Sequence, residues 1–98
     1  MVPHLDERQS ESVNELMEAI LSLRDMEECR AFLRDLCTVQ EVIGMAQRLQ
    51  VAKLLLAGET YESIRQRLPV SSSTITRINT ALQYGAGGYR AVLERSGD

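Results

Sequence analysis

Between Thr60 and Tyr84 the chain reads TYESIRQRLPVSSSTITRINTALQY, and no other stretch restricts the fold as much. It predicts two short helices around a tight turn. With Tyr61 as the first residue of a twenty-residue helix-turn-helix window, positions 4, 8, 10, 15 and 18 must be apolar. Those positions hold the helices against each other and against the body. They are Ile64, Leu68, Val70, Ile75 and Ile78. Ile64 and Leu68 share one helical face, as do Ile75 and Ile78, and Val70 plugs the angle between the helices. Pro69 stops the first helix, because it lacks an N–H and pushes Leu68 out of helical geometry. Ser71, Ser72 or Ser73 can cap the second helix. Two positions depart from the usual pattern: Arg65 stands where a small residue is normal, and Pro69 where glycine is normal. An ordinary helical hairpin in an all-α core matches the same apolar spacing, so the pattern alone leaves both readings open.

The chain has 98 residues, enough for one domain. A core of this size is modest, and oligomerisation is a natural source of further burial. Its residues are 44% hydrophobic and 26% charged, as in folded soluble proteins. No apolar run reaches the roughly 18 residues of a membrane span. The opening MVPHLDERQSE is too acidic and polar for a signal peptide, so the expected compartment is the cytoplasm. The net charge of −3 is unevenly distributed. Residues 1–41 hold ten acidic side chains and four Arg, a net of −6, whereas residues 42–98 hold four acidic side chains and seven Lys or Arg, a net of +3. Phosphate contacts need a basic face rather than a basic whole.

Residues 1–5 read as a loose arm, in which His4 needs no metal or catalytic role. From Asp6 to Arg24, the residues Val13, Leu16, Met17, Ile20 and Leu21 follow helical spacing. Asp25-Met-Glu-Glu28 resembles a capping box opening a second helix, whose apolar side is Cys29, Phe32, Leu33 and Leu36. Thr38-Val-Gln-Glu41 is another such box. It opens a third helix running to about Ala57, apolar around much of its circumference and so expected to be central. Gly58 is a suitable stop, and Thr60 can cap the next helix. Gly85-Ala-Gly-Gly88 breaks the chain before a last helix from Tyr89 to Arg95, which offers Val92 and Leu93 to the core.

This reading gives an all-α chain of six helices. Residues 1–98 form one domain: 1–57 supply core and dimerisation helices, 60–84 the helix-turn-helix, and 89–95 a C-terminal helix. The first three helices hold more apolar surface than one small subunit readily covers, and an intertwined homodimer would bury it. A two-fold dimer would also present two helix-turn-helix units to successive major grooves, roughly 34 Å apart.

Leu54-Leu-Leu-Ala-Gly-Glu59, then Ile64, Leu68 and Thr74-Ile-Thr-Arg77, resemble the Trp repressor superfamily from about Thr38 to Leu82. Arg67-Leu-Pro-Val-Ser-Ser-Ser-Thr-Ile-Thr-Arg-Ile78 and Tyr84-Gly-Ala-Gly-Gly-Tyr89 look closer to its YerC/YecD-type members than to Trp repressor proper. The resemblance implies an intertwined, all-helical dimer that regulates transcription. It also implies a place to look for a corepressor. In Trp repressors a Thr opening the long helix, an Arg within it, and the Thr and Arg of "TITR" surround the amino acid; the matching residues are Thr38, Arg48, Thr74 and Arg77. Two guanidinium planes can sandwich an aromatic ring, and Arg48 with Thr38 can hold a carboxylate. Trp repressor, however, has Gly immediately after the "TITR" Arg. Here Ile78 stands there, with a branched side chain that would intrude near the indole. The expectation is therefore no bound cofactor, with L-tryptophan or another small corepressor not favoured.

The second helix of the pair would enter the major groove by its N-terminal end. Ser71, Ser72, Ser73, Thr76, Asn79 and Thr80 are candidate base or phosphate contacts, since hydroxyls bond either and Thr methyls touch the thymine methyl. Arg65, Arg67 and Arg77 are candidate phosphate contacts. Short hydroxyl side chains also suit water-mediated readout, as in the Trp repressor–operator complex. Catalysis has little support: a single His cannot form a triad with a positioned base. Cys29 and Cys37 lack the spacing or His partners of a zinc site and read as buried thiols. Two functions of different class remain: a dimeric, sequence-specific regulator binding double-stranded DNA, or a helical dimerisation and adaptor module binding a protein. The hydroxyl-rich outward face of Ser71 to Thr80 lacks a large apolar anchor, which suits DNA better than a protein hot spot.

Overall fold

The computed structural model describes residues 5–97; His4 and most of the expected arm lie outside them. Six α-helices, and no strand among the described residues, run in the order α1 (Glu7–Leu21), α2 (Met26–Leu36), α3 (Val39–Leu56), α4 (Tyr61–Arg67), α5 (Ser72–Tyr84) and α6 (Gly88–Gly97).

Local side-chain chemistry explains most helix ends. Asp6 caps α1 in a reciprocal box: Gln9 donates its N–H to Asp6 Oδ1 (2.7 Å), and Asp6 donates its own to Gln9 Oε1 (3.0 Å). The helix stops three residues short of Arg24 because Ser22 folds back. Its hydroxyl donates to the Ala19 carbonyl at 2.7 Å, the local competition with helix that serine offers. Asp25 caps α2 through the Glu28 N–H (2.9 Å), but Glu28 reaches one residue further than a standard box and accepts from the Arg24 N–H (3.0 Å). The Thr38–Glu41 box is complete in both directions. At the other end of α3, Gly58 has φ 90°, a backbone that other residues adopt only under strain. The Glu59 N–H then reaches the Leu54 carbonyl and the Gly58 N–H the Leu55 carbonyl, each at 3.0 Å, which satisfies carbonyls the helix leaves unpaired. The last helix is longer than Tyr89–Arg95, starting at Gly88 and continuing to Gly97.

The chain divides into two compact units, the boundary falling between Val42 and Ile43 near the start of α3. In the first unit, neither α1 nor α2 has a fully buried residue. Val13, Met17, Ile20, Leu21, Met26 and Leu36 are all exposed, Leu21 by 84% and Met26 by 67%. On the expected apolar stripes Leu16, Phe32 and Leu33 are half-buried. Cys29 and Cys37 are half-buried free thiols rather than buried ones.

The second unit holds the core: Val51 and Ala52 of α3, Ile64 of α4, and Ile75, Ile78 and Leu82 of α5. Leu54, Leu55, Leu56, Tyr61, Leu68, Val70, Tyr89 and Leu93 pack around it. Helix α3 is central only over its C-terminal half, where Val51 and Ala52 are completely buried. Val39, Ile43, Met45 and Leu49 nearer its start are exposed. Arg90 ties α6 to α5 by donating from Nε to the Leu82 carbonyl (3.3 Å), near the end of α5 where carbonyls lack helical partners and favour cations.

Candidate nucleic-acid interface

The α4–α5 pair is fastened from both ends. Thr60 caps α4 by accepting the Ser63 N–H at 3.1 Å, and the Ser63 hydroxyl donates to Glu59 Oε1 at 2.6 Å. Helix α4 stops at Arg67 because Leu68, held extended before Pro69 (φ −129°, ψ 145°), cannot continue it. The Val70 N–H then donates to the Leu68 carbonyl at 2.8 Å, closing a three-residue turn centred on Pro69 of the inverse-γ kind. This is how proline replaces the usual glycine: its fixed φ serves a tighter turn that needs no left-handed residue. Arg65 stands where a small residue is normal, and its side chain is exposed. Of the five expected apolar positions, Ile64, Ile75 and Ile78 are buried, while Leu68 and Val70 are half-buried against them.

Ser71 is the N-cap of α5. Its Oγ accepts the Thr74 N–H at 3.2 Å and lies 3.0 Å from Ser73 Oγ and 3.1 Å from Thr74 Oγ1. Ser71, Ser72, Ser73, Thr76, Arg77 and Thr80 are exposed, and Asn79 is half-buried. The helix therefore has two opposite stripes. Ile75, Ile78 and Leu82 face the core, and Ser73, Thr76, Arg77 and Thr80 face away from it, as the 3.6-residue period requires. Arg65 and Arg67 are exposed on α4. Between Glu62 and Glu94 the chain carries four Arg and no carboxylate side chain, so the outward face of α5 has no acidic side chain from its own helix or either flanking turn. Two features were not singled out from the sequence. Glu62 lines an open depression with Arg65, Gln66, Pro69 and Ser71, and its place there follows from the turn geometry. The hydroxyl network at Ser71 is signalled only by the Ser-x-x-Thr spacing.

Thr38 lies in the first unit, and its Oγ1 accepts the Glu41 N–H at 3.1 Å. Arg48, Thr74 and Arg77 lie in the second. Arg48 is exposed and folds back along α3, so that a Cβ built on Gly44 would sit 3.9 Å from its Nη1. Thr74 is half-buried and belongs to the Ser71 network, while Arg77 is exposed. Ile78 is 2% exposed, and its side chain is part of the core. Among the described residues, no group of three or more His, Cys, Asp or Glu is placed to hold a metal ion, and no helix is long and apolar enough to cross a membrane.

Residues 11–97 match the family model described as Trp repressor protein. The chain is 41% identical over 91 residues to the uncharacterized protein YerC of Bacillus subtilis, covering 93% of this chain and 88% of that one. It is also similar to two crystal structures. One is a TrpR-like protein from Eubacterium eligens, with TM-score 0.83 and 42% identity over 87% of this chain and 88% of the other. The second is a candidate Trp repressor from Staphylococcus aureus, with TM-score 0.86 and 40% identity over 96% and 94%. Six helices in this order, a helix-turn-helix built on α4 and α5, and matches spanning nearly the whole length lead to one assignment: the chain belongs to the Trp repressor family, among its YerC-like members.

Proposed function

We propose that the chain is a sequence-specific DNA-binding regulator of transcription, acting as a homodimer in the cytoplasm. The observation that carries the reading is the α5 stripe, which is exposed, hydroxyl-rich and free of carboxylates over a segment holding only positive charge. DNA needs such a face: carboxylates would repel phosphate, and short polar side chains let a helix settle into the major groove. Ser72, Ser73, Thr76 and Thr80 contact base edges or phosphates, with Ser71 and Asn79 at the margin, and Arg65, Arg67 and Arg77 contact phosphates. Residues 1–57 supply the dimer core, residues 60–84 read DNA, and the last helix braces α5. The exposed apolar residues of α1, α2 and the start of α3 form the interface between copies, and a two-fold axis places the two α5 helices one DNA turn apart. The reading requires no corepressor.

The test is selection from a pool of random duplex DNA by the purified chain at near-physiological salt. A palindromic site should emerge and be lost on Ser73→Glu with Thr76→Glu while circular dichroism is unchanged. Repeating the selection with L-tryptophan and with a metabolite mixture tests for a corepressor. If no site is enriched under any condition, the chain is a protein-binding adaptor instead.

A further inference from the structure

We infer that α5 discriminates the DNA half-site by a thymine 5-methyl group, held against the methyl of Thr76, and not by a bidentate hydrogen bond to guanine. This rests on the DNA-binding reading and specifies what the DNA must contain.

The argument starts from what the leading part of α5 presents. From Ser72 to Thr76 its exposed side chains are Ser72, Ser73 and Thr76, all short. No forked donor is among them. The groups that single out guanine or adenine with two parallel hydrogen bonds are Arg, Lys, Asn and Gln. On α5 these are Arg77, Asn79 and Gln83. Asn79 is half-buried and Gln83 lies in the last turn. Arg77 is long and flexible and sits in a segment with no carboxylate to orient it, which suits a phosphate contact. The hydroxyls discriminate poorly, since a hydroxyl donates or accepts and pairs with several base edges. Two of them are also engaged: Ser71 Oγ holds the cap, with Ser73 Oγ 3.0 Å away.

One group on this leading segment distinguishes a base by its apolar chemistry: the Thr76 methyl, which thymine's C5-methyl matches in the major groove. Thr76 lies opposite the buried Ile75–Ile78–Leu82 stripe, and Thr80 repeats the same side chain one turn on. The exposed side chains of α5 before Thr76 are short, which permits the close approach such a contact needs, and α5 itself carries no carboxylate; Glu62 lines the depression beside Ser71 and not the Thr76 face.

The experiment uses the full chain and the duplex obtained by selection. Each half-site thymine is replaced in turn by deoxyuridine, which removes only the 5-methyl, and each guanine by 7-deazaguanine, which removes the N7 acceptor. Burying one methyl corresponds to about four-fold in affinity per half-site, and about fifteen-fold when both half-sites are changed. That loss is expected at one thymine position for the unsubstituted chain. Thr76→Ser keeps the hydroxyl, loses the methyl, and should bind thymine and deoxyuridine duplexes equally. Thr76→Val keeps methyls, loses the hydroxyl, and should retain the preference. Both changes are small and at an exposed helical position, so circular dichroism should be unaltered. An enriched site that is indifferent to deoxyuridine at every thymine overturns the thymine assignment while leaving DNA binding intact, and loss with 7-deazaguanine then assigns discrimination to a forked donor such as Arg77 or Arg65. Failure to enrich any site overturns the DNA reading itself.

Discussion

Thr38 and Glu41 cap one another across the first turn of α3: the Glu41 N–H donates to Thr38 Oγ1 at 3.1 Å, and the Thr38 N–H donates to Glu41 Oε1 at 2.8 Å. The residue that the Trp repressor resemblance places in a ligand pocket therefore already has a structural task. Thr38→Ala should cost about 1 kcal/mol, lowering Tm by about 4–8 °C for a chain of this size. Thr38→Ser should restore most of it. Thermal melts at one fixed protein concentration check this, since the Tm of an oligomer depends on concentration.

Gly85 and Gly88 should behave oppositely. A Cβ on Gly85 would fall 2.5 Å from the Ala81 carbonyl oxygen, whereas one on Gly88 meets nothing within 4 Å. Gly85→Ala forces backbone to move and should destabilise by about 1–3 kcal/mol. Gly88→Ala occupies open space at the first position of α6 and should be neutral or stabilising by up to about 1 kcal/mol. Urea titrations of the two variants side by side give the contrast.

Ile78 decides between core and ligand space. Since it is 2% exposed beside Ile75 and Ile64, Ile78→Ala should lose about 2–5 kcal/mol and gain no affinity for L-tryptophan. Calorimetric titration with the amino acid, alongside denaturation of the same variant, separates the two roles.

Salt should affect DNA binding only moderately. On the proposed reading Arg65, Arg67 and Arg77 are the cationic phosphate contacts, three per protomer, so the dependence of log K on log salt should be no steeper than about −5 for a dimer. Removing any one of them by Arg→Ala should flatten the slope by about 2, one unit per copy. Titrations on the selected duplex at several salt concentrations measure it.

The exposed α1 face should control assembly. The unsubstituted chain should sediment at twice its own mass. Met17→Glu with Ile20→Glu, at positions 44% and 42% exposed in the single chain, should shift it toward the monomer and abolish binding to a palindrome. Analytical ultracentrifugation across a dilution series reports the shift.

Much of this architecture is legible residue by residue. The Asp25 and Thr38 caps, the stop at Gly58, the Thr60 cap, the break before Pro69 and the apolar set from Ile64 to Ile78 all follow from rules acting within a few residues. That is why six helices and a helix-turn-helix can be read from the chain alone. The ends that differ are those where a side chain had a choice. Ser22 turned its hydroxyl onto Ala19, and Glu28 bonded the Arg24 N–H and not that of Asp25.

Sequence by itself determined the helices, their caps and the two stripes of α5, because these depend on spacing and on groups one turn apart. Tertiary structure decided the rest. It drew Arg90 of α6 onto the Leu82 carbonyl of α5. It also buried Val51 and Ala52 while leaving Val39 and Ile43 of the same helix exposed. Periodicity identifies an apolar face, but only the packing of elements distant in sequence determines which part of that face is covered.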